Sequence, residues 1–351
     1  MTASTRWKMR PEGSTWGDWG PDDQLGRLNL LTPEKVKQGI AEVREGLTFC
    51  LSLPLDYPGG NVLNPRRHPP VLRPTIRGGR PNFIYEVRRD NPDATDVIND
   101  DVVIMHLQYS TQWDSLAHVG GLFDADGDGV AEPVFYNGYR PGVEIVGPTD
   151  VADAGGIGTV PAKSTSCAAA LGVENMAVKC VQGRGVMIDL HAHVGRTRVA
   201  VGYDRLMRIL DADKVAIEQG DMVLLHTNFA QVLLEMHGNP DARTLDSFCA
   251  ALDGRDEKLL QWVTDTGLVA LIADNYAVEA HPATSHHGRC AALPLHEHCL
   301  FKLGVYLGEI WYLTELAAWL RGNGRYRFLL TAPPLRLPGA VGSPATPVAT
   351  V

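Results

Sequence analysis

The chain has 351 residues, 44% of them hydrophobic and 21% charged, the balance of a globular protein large enough to bury about three quarters of its unfolded surface without disulfides. Lys plus Arg number 32 and Asp plus Glu 41, for a formal net charge of -9. That charge argues against a nucleic-acid partner, because phosphate binding calls for a basic face. No apolar run approaches the roughly 18 residues of a membrane span, and the polar residues 1–20 lack the apolar core of a secretory signal. The expectation is a cytoplasmic enzyme with no membrane partner. The six cysteines (Cys50, Cys167, Cys180, Cys249, Cys290 and Cys299) form no C-x-x-C pair. A zinc ribbon or redox dithiol is therefore not expected, and the scatter reads as small apolar packing in a reducing compartment.

In chain order, Thr32-Pro33-Glu34 is the first helix signal. Thr caps, Pro suits the first helical position and Glu favours the positive end of the dipole. Val36, Ile40 and Val43 follow at helical spacing and Gly46 ends the pattern. Apolar runs at Val102–Met105, Val186–Ile188, Met222–Leu225 and Val269–Ala273 read as buried strands. Helical patterns at Tyr203–Asp211, Lys258–Thr266 and Leu313–Leu320 lie among and after them. This alternation predicts an α/β fold with a mixed sheet. Asp189-Leu-His191, His226-Thr-Asn228 and Asp274-Asn275 directly follow three of the strands. Ligands in open α/β sheets gather beyond the carboxyl ends of strands. With no repeat or linker, the chain reads as one domain over 46–332. An N-terminal arm and helix (1–45) precede it and an extended tail (333–351), poor in residues that pack, follows.

The richest polar cluster follows the predicted strand ending near Met105: His106, Gln108, Thr111, Gln112, Asp114 and His118. Imidazole and carboxylate suit Zn²⁺ or Mn²⁺. On a helical turn Asp114 and His118 share one face, so that one can hold a metal while the other handles a proton. The competing reading is a structural hydrogen bond between the two at a helix start.

The segment Gln108–His118 resembles the H-x-G-T-H-x-D-x-x-x-H signature of the cyclase-type metal-dependent hydrolases, the superfamily that includes bacterial kynurenine formamidase and isatin hydrolase. Thr111, Asp114 and His118 match it, and Ser110 stands for the Gly. Gln108 and Gln112 stand where the signature has metal-binding histidines. Thr111-Gln-Trp-Asp-Ser-Leu-Ala-His118 followed by Tyr136-Asn-Gly138 resembles a branch that reads T-Q-W-D-x-L-x-H and then Y-N-G. Asp274–Pro282 is similar to that branch's D-x-x-x-x-E-x-x-P segment. Residues 19–33, Leu51-Ser-Leu-Pro54 and Gly220–Thr227 extend the likeness over most of residues 16–320.

The resemblance implies a single cyclase-like domain of swivelling β/α/β fold, assembled as a homodimer or homotetramer. The Trp-rich arm (Trp7, Trp16, Trp19) is then expected to pack on a neighbouring subunit. It implies a divalent metal, Zn²⁺ or Mn²⁺, held by Asp114, His296 and Glu309 with Gln112 or His106, and His118 as proton carrier. His298 competes with His296 for the ligand position. Trp113, His191, Asp274 and His298 are candidate substrate contacts. The implied reaction is hydrolysis of a small, typically cyclic, amide, imide or lactone. The alternative is a non-hydrolytic cyclase or a metal-free binding protein of the same fold.

Asp124-Ala-Asp126-Gly-Asp128-Gly resembles the start of a calcium loop, but position 12 is Phe135 where the bidentate Glu belongs. Ca²⁺ there competes with a tight Asp/Gly turn, and a calcium-stabilised scaffold is a third reading. Gly183-Arg-Gly185 precedes a strand and is no dinucleotide loop. No serine lies in a G-x-S-x-G elbow.

Overall fold

The computed structural model describes residues 6–149 and 164–351. Nine strands form one mixed sheet: β1 (Thr48–Cys50), β2 (Gln112–Asp114), β3 (Gln182–Asp189), β4 (Met222–His226), β5 (Ala270–Ala273), β6 (Tyr306–Glu309), β7 (Arg327–Thr331), β8 (Gly342–Pro344) and β9 (Val348–Thr350). Their spatial order is β1-β9-β7-β3-β4-β5-β6-β2-β8. The four central strands, β3 to β6, run parallel, and antiparallel strands flank them on both sides. β4 and β5 are buried throughout, which is why they read as unbroken apolar runs instead of alternating ones.

The predicted helices form at α1 (Pro33–Ala41), α2 (Tyr203–Asp213), α3 (Glu257–Thr266) and α4 (Thr314–Gly322). Thr32 caps α1 by accepting from the Lys35 N–H. Gly39 lets α1 lie directly on β3: a Cβ there would meet the Gly183 carbonyl carbon at 2.7 Å. Gly183 thus serves packing. Asp256 caps α3 through the Lys258 and Leu259 N–H groups.

Three expectations need correction. The run at Val102–Met105 is a strand over Asp101–Ile104, but an exposed one. Among the described residues it pairs only with Val71–Pro74, at the base of an excursion of short hairpins outside the main sheet. Asp114 and His118 do not share a helix, because Asp114 ends β2 and a turn closed by His118 N–H to Ser115 O follows. The C-terminal segment is not a loose tail. Its Ala and Val residues supply β9, which sits between β1 and β7, while β8 forms the far edge of the sheet beside β2. Backbone pairing orders it where side-chain composition gives no signal.

The described part of the N-terminal arm, from Arg6, packs on its own chain. Trp16 is fully buried, meets Phe301 edge to face at 5.2 Å, and donates to its carbonyl at 2.7 Å. Arg27 donates to the Val263 and Thr264 carbonyls at the end of α3, both at 2.7 Å. The Asn137 side chain of the Tyr-Asn-Gly motif binds the carbonyls of Gly20, Pro21 and Asp23 and accepts from Gly17 N. Exposed tryptophan therefore offers no argument for a second subunit. The cysteines are all free thiols, with Cys249 and Cys299 buried and the other four exposed. No described helix is long and apolar enough to cross a membrane.

Candidate metal centre

The register of β2 against β6 builds the centre. Gln112 pairs with Glu309, Trp113 with Gly308 and Asp114 with Leu307. Alternation along β2 then puts Gln112 and Asp114 on one face and Trp113 on the other. Gln112 Nε2 donates to Glu309 Oε2 at 3.0 Å. Thr111 fixes the approach of the strand, donating to Ile310 O at 2.6 Å and accepting from Leu53 N–H at 3.0 Å. His296 enters from the short helix Pro294–His296, and its Nε2 lies 3.1 Å from Glu309 Oε1 and 3.9 Å from Asp114 Oδ2. One ligand atom from each of Asp114, His296 and Glu309 falls within 4.8 Å of the others, and all three residues are buried. His118 Nε2, partly exposed at the rim, is 3.8 Å from Asp114 Oδ1.

Burial without donors marks this cluster. Asp114 Oδ1, Asp114 Oδ2 and Gln112 Oε1 are buried acceptors with no hydrogen-bond partner. Each such group costs free energy unless something positive satisfies it. Burial raises the Asp114 carboxyl, assisted by the Glu309 charge and opposed by His118 and His296. Glu309 falls below the ordinary range despite its own burial, because His296 donates to it. Burial would depress His296, but Glu279 and Glu309 together carry it up to about 10. A divalent cation fits this donor set. It would satisfy the orphaned oxygens, balance the two carboxylates and take the place of the His296 Nε2 proton.

The sequence reading did not assign Glu279 a role. Its carboxylate is buried and accepts from the Leu295 and His296 N–H groups at 3.0 Å and from His296 Nδ1 at 2.8 Å. It thereby fixes which ring nitrogen faces Asp114 and Glu309. Glu279 lies in the segment whose D-x-x-x-x-E-x-x-P likeness was already visible, and that was its only signal.

Other candidates lie elsewhere. His106 is outside the cluster: its Nδ1 accepts from the His68 N–H at 3.1 Å and the two rings meet at 5.5 Å. Trp113 is a core residue, fully buried, stacked edge-on against Trp311 and donating to Ala332 O. His298 turns away from Glu309 to Thr264 Oγ1 at 2.9 Å, and burial pushes it down to about 4. Asp274 is spent on structure, accepting from Thr227 N, Thr227 Oγ1 and Asn228 N just past the end of β4. His191 packs beside His226, which is bound to Asp189. The carboxyl ends of β3, β4 and β5 thus form their own polar row, and among the four parallel strands it is β6 whose end reaches the centre. Asp124, Asp126, Asp128 and Glu132 also converge within 4.8 Å. Asp124 there accepts three loop N–H groups, and Glu132 pairs with Arg140.

The Cyclase family model ("Putative cyclase") matches residues 50–280. Among solved structures the chain is similar to a novel cyclase at 31% identity and a TM-score of 0.72, covering 96% of this chain and 97% of that one. Isatin hydrolase A from Labrenzia aggregata, bound to benzyl benzoate, shares the fold at 13% identity and a TM-score of 0.54, covering 91% of this chain and 98% of that one. Isatin hydrolase A from Ralstonia solanacearum does so at 15% identity and 0.55, covering 91% and 97%. No curated protein matches. A family match over well more than half its length, joined to a near full-length structural likeness, places the chain in the cyclase family.

Proposed function

We propose that the protein is a metal-dependent hydrolase of small amides, imides or lactones, with Gln112, Asp114, His296 and Glu309 holding one divalent cation and His118 carrying the proton. The observation that supports it most is the trio of donorless buried oxygens on Asp114 and Gln112 beside His296 and Glu309. The donors are three oxygens and one imidazole nitrogen, a set harder than that of thiolate or all-histidine sites, which favours Mn²⁺ over Zn²⁺. A cation bound there polarises a carbonyl and lowers the pKa of water.

The chain's own groups do the rest. Water adds to the substrate carbonyl carbon while His118 Nε2 takes one of its protons. The C–N or C–O bond then breaks, and His118 returns that proton to the departing nitrogen or oxygen. The products are a carboxylic acid and an amine from an amide, an amide from an imide or an alcohol from a lactone; in a ring they are joined in one molecule. Glu279 keeps His296 Nε2 turned inward throughout. The buried β2–β6 pair keeps bulk water from Gln112 and Asp114.

The test is turnover of a panel of small cyclic amides, imides and lactones by the Mn²⁺-loaded protein. His118→Ala should lose about 10²–10⁴ in kcat while still binding one Mn²⁺. Near-normal turnover by that variant would refute the assignment.

A further inference from the structure

The chain encloses a cavity that the mechanism above does not use, and none of Gln112, Asp114, His296 and Glu309 lines it. Its volume is about 350 Å³, within the range of small-molecule sites. Strand alternation explains why the space exists. Val199–Val201 pairs in parallel with Ala250–Leu252, with Ala200 opposite Ala251 and Val201 opposite Leu252. Val201 and Leu252 are fully buried, whereas Ala200 is exposed and Ala251 half-buried. The ribbon therefore sends Val201 and Leu252 into the core and turns Ala200 and Ala251 to its other face, where both line the cavity. Two methyl groups leave open what larger strand residues would fill.

Burial grades the rest of the lining. Phe229, Leu245 and Cys249 are buried, Phe248 and Tyr276 are half-buried, and the charged or polar Arg198, Asp246, His281 and Thr284 are exposed and mark the mouth. The ionisable groups of the buried part offer a ligand no charge to meet. The Glu279 carboxylate is taken by the Leu295 and His296 N–H groups and by His296 Nδ1. Burial pushes the Cys249 thiol up to about 12, so it stays neutral. Asn275 is different. It is 4% exposed and lines the same cavity. Its Nδ2 donates to the Ala250 and Val278 carbonyls at 3.0 and 3.5 Å, which settles how the amide is turned. Oδ1 is then a buried acceptor with no hydrogen-bond partner among the described residues, and such a group costs free energy until a donor meets it.

We propose that this cavity is a binding site for a neutral aromatic molecule carrying one O–H or N–H donor, a phenol or an arylamine, whose donor meets Asn275 Oδ1 while its ring packs among Phe229, Phe248 and Tyr276. Aromatic side chains around an aromatic ligand add tilted and edge-on contacts to the area buried. The same lining selects against ions. A carboxylate would face an acceptor, and an ammonium would lose its water with no free carboxylate in the buried part to replace it. The site is independent of the hydrolase reading, because no proposed metal ligand takes part in it.

The test uses 2-naphthol and 2-methylnaphthalene, which differ by a hydroxyl in place of a methyl group. Each is titrated by protein-observed NMR into the wild-type protein, Asn275→Leu and Ala251→Phe. Wild type should bind 2-naphthol at one saturable site, with ligand contacts to Phe248 and Tyr276. Asn275→Leu should bind it about tenfold more weakly, the scale of one hydrogen bond, and should bind 2-methylnaphthalene no more weakly than wild type does. Ala251→Phe fills the cavity from a strand position that suits an aromatic residue, and should lose both probes. Blocking the donor on the ligand gives a check that needs no variant: wild type should bind 2-methoxynaphthalene about tenfold more weakly than 2-naphthol. The proposal is overturned by unsaturable 2-naphthol binding in wild type, by full binding in Ala251→Phe, or by equal affinity for 2-naphthol and its methyl ether. An equal loss of both probes in Asn275→Leu would overturn the role of Oδ1, and with it the ligand class.

Discussion

Glu279 is the residue that separates orienting His296 from supplying a ligand. Its carboxylate accepts three N–H groups around the imidazole. Glu279→Gln should keep the fold but weaken Mn²⁺ binding by about 10–100-fold, as expected for an outer partner of a metal-bound histidine; competition with a chromophoric chelator measures it. His296 itself sets a pH dependence. With its folded value raised to about 10 from an ordinary 6.5, the cation-free chain holds a proton that the unfolded chain has lost above 6.5. Cation-free stability should therefore fall as pH rises from about 6.5 towards 10. Over the same range Mn²⁺ binding should tighten and release close to one proton, read from calorimetry in buffers of different ionisation enthalpy. No proton release would contradict the assignment of His296 as a ligand. Asp114, His296 and Glu309 were nominated through the resemblance to the cyclase-type metal-dependent hydrolases. Trp113 and His298 were misplaced because strand alternation and a turn of helix decide which way a side chain points, and the motif carries neither.

At the scale of elements, the two terminal segments hold the molecule together. The N-terminal arm closes over the chain through Trp16, so Trp16→Ala should cost about 3–5 kcal/mol in denaturant unfolding, the usual range for deleting a buried aromatic. A loss under 1 kcal/mol would mean that the arm is not part of the core. The C-terminal strands β8 and β9 were illegible because backbone ladders, and not side-chain pattern, place them. The contact between α3 and the turn after His296 carries a titrating group. His298 is depressed to about 4 by burial beside Thr264, so its contribution is present above about 6.5 and lost as pH falls from 6.5 towards 4. His298→Gln should flatten the fall in melting temperature over that window. An unchanged slope would place the acid sensitivity elsewhere, with buried His226 the next candidate.

At the scale of the whole molecule, the parallel centre of the sheet and its helices were legible because buried parallel strands read as unbroken apolar runs and amphipathic helices keep a 3.6-residue period. The excursion near Val71–Ile104 was not, because its strands show the same apolar letters while lying exposed outside the main sheet. What the fold achieves is convergence: β2 and β6 meet antiparallel at the edge of the parallel strands, and the helix before β6 delivers His296 to the seam. The proposed hydrolysis requires that seam to hold a cation. The most direct measurement is a Mn²⁺ titration of the chelator-stripped protein beside Asp114→Asn. One saturable site per chain is expected, weakened in the variant by more than the roughly hundredfold that loss of an outer partner can cause. No saturable binding, or equal binding by the variant, would contradict it.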